Sequence, residues 1–589
     1  MPQTVLEVFD ATVGAHADRP AMLRKRGPVW EPVTWSGYGE AVARAARALV
    51  ALGVEPGHGI VILAANRPEW FITNLAGMSV SARVAGIYTN NTAEQTHYIA
   101  EHAEAAVAIV DGPPALARLA PSGARPACLR AVVLLEGEAA GSGVMSWADF
   151  LAKGDALHEA EVARRRAALT GESATTLIYT SGTTGTPKAV MLTQRNLAFI
   201  AEKIQELVPI GPGDSLISYL PLSHIAEQVV SHLLSIATGA AVHFAESVEK
   251  LPEALVEVRP HFFLGVPRVW EKMEAAIEAK AASASPLGRR IVAWARGVGL
   301  RTGDAYQSGR RRPWSYPLAD RLVFSKVRSR LGLDRARLIA VSSAPIAIET
   351  LEFFQSLGIP IMEAYGMSEC SGPATMSLPE RYRLGAAGYA IPGTELAIAE
   401  DGEVVIRGPH VFKGYYKDDA ATREALDAAG FLHSGDVGEI DRGGYLRITD
   451  RKKELIITAG GKNIAPQHLE GQLKQIAAVS QAVAIGDRRP YVVALLTLDP
   501  ARLAAEAEKA KSDARTVEEA AACKRFRAQL ERQVEAVNTR LARYETIKKF
   551  AILPRELSVE AGELTPTLKL KRRVIFERYR ETIEALYLL

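Results

Sequence analysis

The fourteen residues from Leu177 to Val190, LIYTSGTTGTPKAV, constrain this chain more than any other stretch, because their character changes three times. Leu177, Ile178 and Tyr179 are strand formers, Thr180 to Thr186 holds only hydroxyl residues and glycine, and Pro187 and Lys188 lead into a second apolar run. Gly182 and Gly185 let the backbone turn where a Cβ would clash, so several N–H groups can point at one anion. The hydroxyls of Thr180, Ser181, Thr183 and Thr184 and the Lys188 ammonium add further donors. The stretch reads as a phosphate cradle, with a polar hairpin tip as the lesser alternative. It is not the G-x-x-x-x-G-K-[ST] loop, since two residues separate the glycines and a proline precedes the lysine.

TSGTTGTPK resembles the phosphate loop of the adenylate-forming superfamily, which includes acyl-CoA synthetases, luciferases and peptide-synthetase adenylation domains. The resemblance implies a large N-terminal domain of βαβα sheets, residues 1–449, and a small α+β C-terminal domain, residues 450–589. The chain's own patterns are compatible with that. Its 589 residues exceed one compact core, and 48% apolar with 23% charged residues is a globular composition. A net charge of +3 gives no global nucleic-acid signal. Cys128, Cys370 and Cys523 lie far apart without metal spacing, which fits a reducing, cytoplasmic setting. The N-terminus has no signal-peptide h-region.

Alternation begins at Thr34. Ser36 opens a helix to about Leu52, Gly59 to Ala65 is a short apolar strand, and Pro68 starts the next helix. The rhythm continues through Val84–Tyr88, Thr96–His102 and Ala106–Val110, and implies α/β architecture with a largely parallel sheet. Gly112 to Pro126 reads as a loop, and Gln228 to Ala245 as a buried helix followed by a strand. Ser283 to Pro317 interrupts the alternation with a basic stretch containing Arg310, Arg311 and Arg312. There Ile291, Trp294, Ala295 and Val298 share one helical face, with Arg289, Arg290 and Arg296 elsewhere. Packing on the protein's own core and peripheral contact with a membrane are both open for that face.

Three more clusters carry chemistry. His224, in YLPLSHIAEQ, reads alone as a core histidine; by resemblance it is the histidine near the acyl-phosphate junction. In VSSAPI, the strand breaks at Pro345, which suits Ser343, Ala344 and Pro345 to lie against a flat ring. In EAYGMSE, Gly366 after Tyr365 gives a turn presenting Ser368 and Glu369 together, and a hydroxyl with a carboxylate is how Mg²⁺ is held with few protein ligands. These segments resemble the family's adenine-binding and Mg²⁺-binding motifs, with Glu363 and Tyr365 among the nucleotide contacts and Thr180 and Glu369 on the metal. The longest match runs from Gly430 to Pro466. Within it Asp436 is placed to accept two hydrogen bonds from vicinal hydroxyls, as a ribose-reading carboxylate does. By the same resemblance Arg451 and Lys453 are nucleotide contacts, Asp450 is a hinge, and Gly460, Gly461 and Lys462 line a thiol tunnel. In LTPTLKLKRRVI, counting back from Arg572 selects Lys569 over Lys571 as the family's catalytic lysine, with Leu568 where the family loop more often has glycine.

The resemblance spans Val33 to Arg573 and implies two steps: a carboxylate attacks the α-phosphate of ATP, and coenzyme A then attacks the acyl-adenylate. His224, Glu369 and Lys569 are the implied catalytic residues, and ATP, Mg²⁺ and coenzyme A the implied cofactors. Ser283 to Leu333 resembles the extra helical segment of long-chain and bubblegum-type synthetases, which implies a long-chain fatty acid. A fatty acid offers only methylenes, each worth ~0.8 kcal/mol on burial, so chain preference needs a deep apolar tunnel. Loading of a carrier protein, or activation of another carboxylic acid, remains an alternative. The oligomeric state is open, a homodimer included.

Overall fold

A computed structural model describes residues 3–121, 123–139, 141–180, 187–282, 285–459, 462–559, 561–565 and 569–588. The early amphipathic pattern builds the main sheet. Thr34 caps the helix Trp35–Ala51 by accepting the Gly37 N–H, and Val42, Ala45, Ala46 and Leu49 face inward from it. The next strand, Gly59–Leu63, is buried along its whole length, as a strand covered on both faces must be. From one edge the eight-stranded sheet runs Gly414–Tyr415, Lys188–Thr193, Ala174–Thr180, Arg83–Gly86, Gly59–Leu63, Ala105–Val110, Ala131–Leu134 and Val144–Ser146. From Ala174–Thr180 onward all neighbours are parallel. The two pairings at the first edge are antiparallel.

A second sheet of five strands places Phe262–Gly265, Leu338–Val341 and Met362–Met367 parallel, then adds Gly372–Met376 and Tyr389–Ala390 antiparallel. An antiparallel sheet of four carries Glu395–Ile398, Glu403–Arg407, Leu432–Ile440 and Leu446–Arg451. Beyond that last strand the packing is local. Val479–Ile485, Val492–Leu498 and Ile547–Ile552 form a separate sheet. The clusters on its two faces, one around Phe526 and Leu530 and one around Leu557 and Ile575, draw every described member from Ile456 onward.

Two expectations need correction and one, the buried helix followed by a strand, is met with added detail. Gly112 to Pro126 is not all loop: Pro113–Leu119 is helical, its prolines sitting in the first turn where a missing N–H costs nothing. The buried helix from Gln228 opens with a π-helical turn, Gln228–Leu233, before Leu234–Thr238 and the strand Ala241–Phe244. The basic stretch is built on a helix of 22 residues, Pro286–Gln307, whose apolar face is split: Ala295 and Val298 are buried while Trp294 is exposed. Close approach causes the split. A Cβ on Gly299 would lie 2.4 Å from the Ser356 carbonyl, and one on Gly303 would overlap the Gln355 side chain, so the helix axis comes nearest Ile348–Ser356 there.

Candidate active site

The hairpin of the opening motif supplies one wall. Thr180 ends one strand directly opposite Lys188 at the start of the next, so the two ends of the cradle are neighbours. Ser181, Gly182, Thr183, Thr184 and Gly185 lie outside the described residues. Lys188 Nζ sits 5.0 Å from the centre of the Tyr415 ring, and the Tyr415 hydroxyl donates to Glu369 Oε1 at 2.8 Å. Tyr415 therefore joins the phosphate side to the proposed metal side. The motifs missed it; its signal was position, in the two-residue strand Gly414–Tyr415 that pairs with the lysine strand.

Glu369 is buried in a short 3-10 turn, Ser368–Cys370, with buried Ser368 beside it. The expected turn at Gly366 falls later than foreseen. Gly366 is still in the strand Met362–Met367, at a register shift, and glycine is required because a Cβ would lie 1.9 Å from the Gly372 carbonyl oxygen. On the same strand Glu363 accepts the Gly385 N–H at 2.7 Å, and burial pushes its carboxyl up to about 8. Ser343, just past Leu338–Val341, takes φ +77°, a left-handed conformation rare for a residue with a Cβ; Ala344 and Pro345 follow it exposed.

Asp436 is held from two sides. Tyr365 donates to Oδ2 at 2.7 Å, and Arg451 Nε lies 3.1 Å from Oδ1. The arginine is directly opposite Asp436 across the hairpin of Leu432–Ile440 and Leu446–Arg451. Its side chain is 43% exposed against 7% for Asp436, so one face of the pair is open.

Two groups meet here from distant parts of the chain. His224 accepts the Ala226 N–H on Nδ1 at 3.1 Å, which leaves Nε2 as the protonated nitrogen of a neutral ring. Burial, and then the Lys569 ammonium, lower its pKa to about 4. Lys569 is lowered to about 8, first by burial and then by Arg451, against the opposing pull of Asp436, Glu369 and Glu454. Its backbone pairs with Thr565: the Thr565 N–H donates to the Lys569 carbonyl at 2.8 Å and the Lys569 N–H to Thr565 Oγ1 at 3.0 Å. Lys571 instead caps the helix Arg572–Arg578, with its N–H on the Glu563 carbonyl.

Residues outside the motifs fix that loop. The Glu563 side chain is fully buried and accepts from Arg555 at 2.7 and 2.8 Å, Arg578 at 2.8 Å, Tyr579 at 3.0 Å and the Ser558 N–H at 3.2 Å. Burial alone would raise its pKa; the two guanidiniums outweigh it and hold the carboxyl at about 2. Arg572 clasps Glu470 at 2.6 and 2.8 Å and reaches Glu454 at 3.2 Å. Asp450 is buried, accepts the Arg451 N–H at 2.6 Å on Oδ1, and has no hydrogen-bond partner on Oδ2 among the described residues; burial pushes it up to about 7. Lys453 is exposed, 3.6 Å from Glu424, and Lys462 Nζ lies 5.8 Å from the centre of the Tyr544 ring. Gly460 and Gly461 lie outside the described residues. Among the described residues no three His, Cys, Asp or Glu form a metal cage.

The α/β sheets and the separately packed C-terminal part make up the adenylate-forming fold. The same fold is seen in the adenylation domain of a carboxylate reductase from Mycobacterium chelonae, with TM-score 0.78 and 20% identity over 99% of this chain and 91% of that one. An anthranilate CoA ligase in complex with anthranoyl-AMP gives TM-score 0.74 at 18% identity, covering 100% of this chain and 99% of that one. The chain belongs to the AMP-binding enzyme family, which it matches over residues 9–416, with the AMP-binding enzyme C-terminal domain over residues 453–588. Among its relatives, the long-chain-fatty-acid–CoA ligase ACSBG2 of Xenopus laevis is 37% identical over 100% of this chain and 84% of its own length. The long-chain-fatty-acid–CoA ligase FadD15 of Mycobacterium bovis is 36% identical, covering 95% of this chain and 93% of its own.

Proposed function

We propose that this protein is an AMP-forming long-chain fatty acid:CoA ligase, which joins a fatty acid to coenzyme A through an acyl-adenylate and releases pyrophosphate and AMP. The observation that carries the reading is the placement of Lys569, a buried ammonium in the combined field of Asp436, Arg451 and Glu369 and close enough to His224 to lower its pKa. A positive charge there is suited to the junction where two anions, carboxylate and α-phosphate, must approach. Asp436, held by Tyr365 and Arg451, would take the ribose hydroxyls. Ser343 to Pro345, Glu363, Gly366 and Ser368 would border the base, and Ser181 to Gly185 with Lys188 the phosphates.

Thr180 and Glu369 are the residues that would hold Mg²⁺. The fit rests on hard oxygen donors and on Glu369 being buried yet, among the described residues, bonded at its carboxylate by one neutral tyrosine hydroxyl. The ion would supply charge neutralisation at the phosphates. Neutral His224 would donate from Nε2 toward the acyl side.

For the second step the lysine must leave. A division at residue 450 fits the self-contained packing beyond Ile456, with Asp450 as hinge and Gly460, Gly461 and Lys462 brought to the thiol path by rotation. The test is pyrophosphate release across a homologous series of fatty acids with and without coenzyme A. Release that rises with chain length and yields thioester is expected. A peak at short or aromatic acids would refute the substrate class, and pyrophosphate without thioester would move the protein to carrier loading.

A further inference from the structure

The long helix Pro286–Gln307 and the segment behind it use one side for packing and leave the other apolar. Inward, Ala295, Val298, Ala319, Val323 and Phe324 make a small core of their own. Outward, Leu287, Leu318 and Trp314 are 69%, 51% and 91% exposed. Arg290, Ile291, Trp294, Leu318 and Leu322 line a shallow groove of about 300 Å³. Single exposed apolar residues need no explanation, but Ile291, Trp294, Leu318 and Leu322 share one groove, and Trp314, four residues before Leu318, is almost fully exposed.

Charge is concentrated on the same segment. Ser285 to Leu333 contains eleven arginines and lysines and two aspartates, a net +9, in a chain whose total is +3. One of those aspartates, Asp320, is taken by Arg328 at 2.6 Å. The unit is firmly mounted: Gly299 and Gly303 bring the helix against Ile348–Ser356, Arg296 Nε donates to Ser356 Oγ at 2.9 Å, and Gln307 accepts the Leu384 N–H at 3.0 Å.

We propose that this face docks on an anionic lipid bilayer, with Leu287, Trp294, Trp314, Leu318 and Leu322 in the interfacial layer and the surrounding arginines on lipid phosphates. A bilayer offers both halves of what the face presents, apolar depth beneath a negative surface. A second copy of the chain docked by a two-fold axis would oppose two segments of +9, which disfavours it as the occupant. No described helix is long and apolar enough to cross a membrane, so the contact is peripheral. The docking would bring the enzyme to where long-chain acids dissolve, and only that benefit rests on the proposed substrate.

The test is co-sedimentation of the full-length protein with vesicles of phosphatidylcholine alone or mixed with phosphatidylglycerol. The mixed vesicles are expected to bind it in a salt-sensitive way, and Trp314→Glu with Leu318→Glu to lower the partition roughly tenfold or more while leaving the thermal midpoint unchanged. Replacing Arg310, Arg311 and Arg312 by glutamine should cost the anionic preference, each cation being worth roughly a fivefold gain. Wild-type protein that ignores both vesicle types at low salt would overturn the proposal. So would an unchanged partition of the double variant, or a solution dimer that the double variant dissolves. An absence of fatty-acid turnover would refute the enzymatic reading and leave the vesicle result standing.

Discussion

Asp436 and Lys569 face the same space, yet they are held in opposite ways. The carboxylate of Asp436 is clamped directly, by Tyr365 at 2.7 Å and Arg451 at 3.1 Å, on a strand of the main body. Lys569 is secured through its backbone and, behind it, through Glu563 with its two arginines and through Arg572 on Glu470. Among the described residues its ammonium is acted on by burial and by the charges of Arg451, Asp436, Glu369 and Glu454, with no direct bond. A directly clamped group is preorganised for a ligand that stays through the reaction. A group fixed at its base and tuned at its tip by burial and distant charge can be withdrawn without breaking bonds of its own.

That difference predicts unequal losses. Lys569→Ala is expected to lower adenylate formation by roughly 10²–10³, the scale of one lost electrostatic contact in a dry site, and to spare thioester formation from supplied acyl-AMP. Equal losses in both half-reactions, or a larger loss in Lys571→Ala, would remove the lysine from its role. The pH profile sharpens this. A lysine lowered to about 8 by burial loses its proton as pH rises through that value, so adenylate formation should fall on an alkaline limb near 8 rather than near the ordinary 10.5. Lys569→Arg should push that limb beyond the measurable range, since a guanidinium does not titrate there.

Asp436→Asn is the counterpart. Hydrogen bonds to a charged group are worth about 1.5–3 kcal/mol, so roughly a 10- to 100-fold weaker hold on the nucleotide is expected. It should appear in both half-reactions, because the ribose stays bound through both. If the asparagine variant were impaired in the first half-reaction alone, the contrast between a fixed carboxylate and a visiting lysine would collapse.

Legibility followed the range over which a signal acts. The parallel strands were readable because period and caps are local, as at Thr34 and Gly59–Leu63. Asp436, Glu369 and Lys569 were nameable because their motifs fix residue type and spacing. The sequence could not show what holds them. Tyr415 reaches Glu369 across 46 positions and Arg572 reaches Glu470 across 102, and no local pattern encodes such pairings. The helix in Gly112–Pro126 was hidden by its prolines, read as breakers although the first turn tolerates them. Lys453 shows the converse: a motif named it as a nucleotide contact, and here it is exposed beside Glu424.

The lysine-bearing part is also tied to the rest of the chain from outside. Three side chains of the helix Pro267–Ala282 reach across to it. Glu271 meets Lys474 at 2.8 Å, Glu278 meets Arg502 at 3.7 Å, and Arg268 meets Ser480 at 3.3 Å and Glu556 at 3.8 Å. These pairs are partly exposed, so each is worth only ~0.2–1 kcal/mol. Under the proposed rotation a weak latch of this kind suits a contact that would open between the two steps, whereas the ion clusters inside the C-terminal part would stay closed. Glu271→Lys places like charges at Lys474 and Arg268 is left without its i+3 carboxylate. Adenylate formation should fall by roughly two- to fivefold, with thioester formation from supplied acyl-AMP unchanged or faster. Adding Lys474→Glu restores opposite charges and should recover most of the loss. If the double variant were no better than Glu271→Lys alone, the pair would be incidental, and the Lys569 loop would owe its position to other contacts.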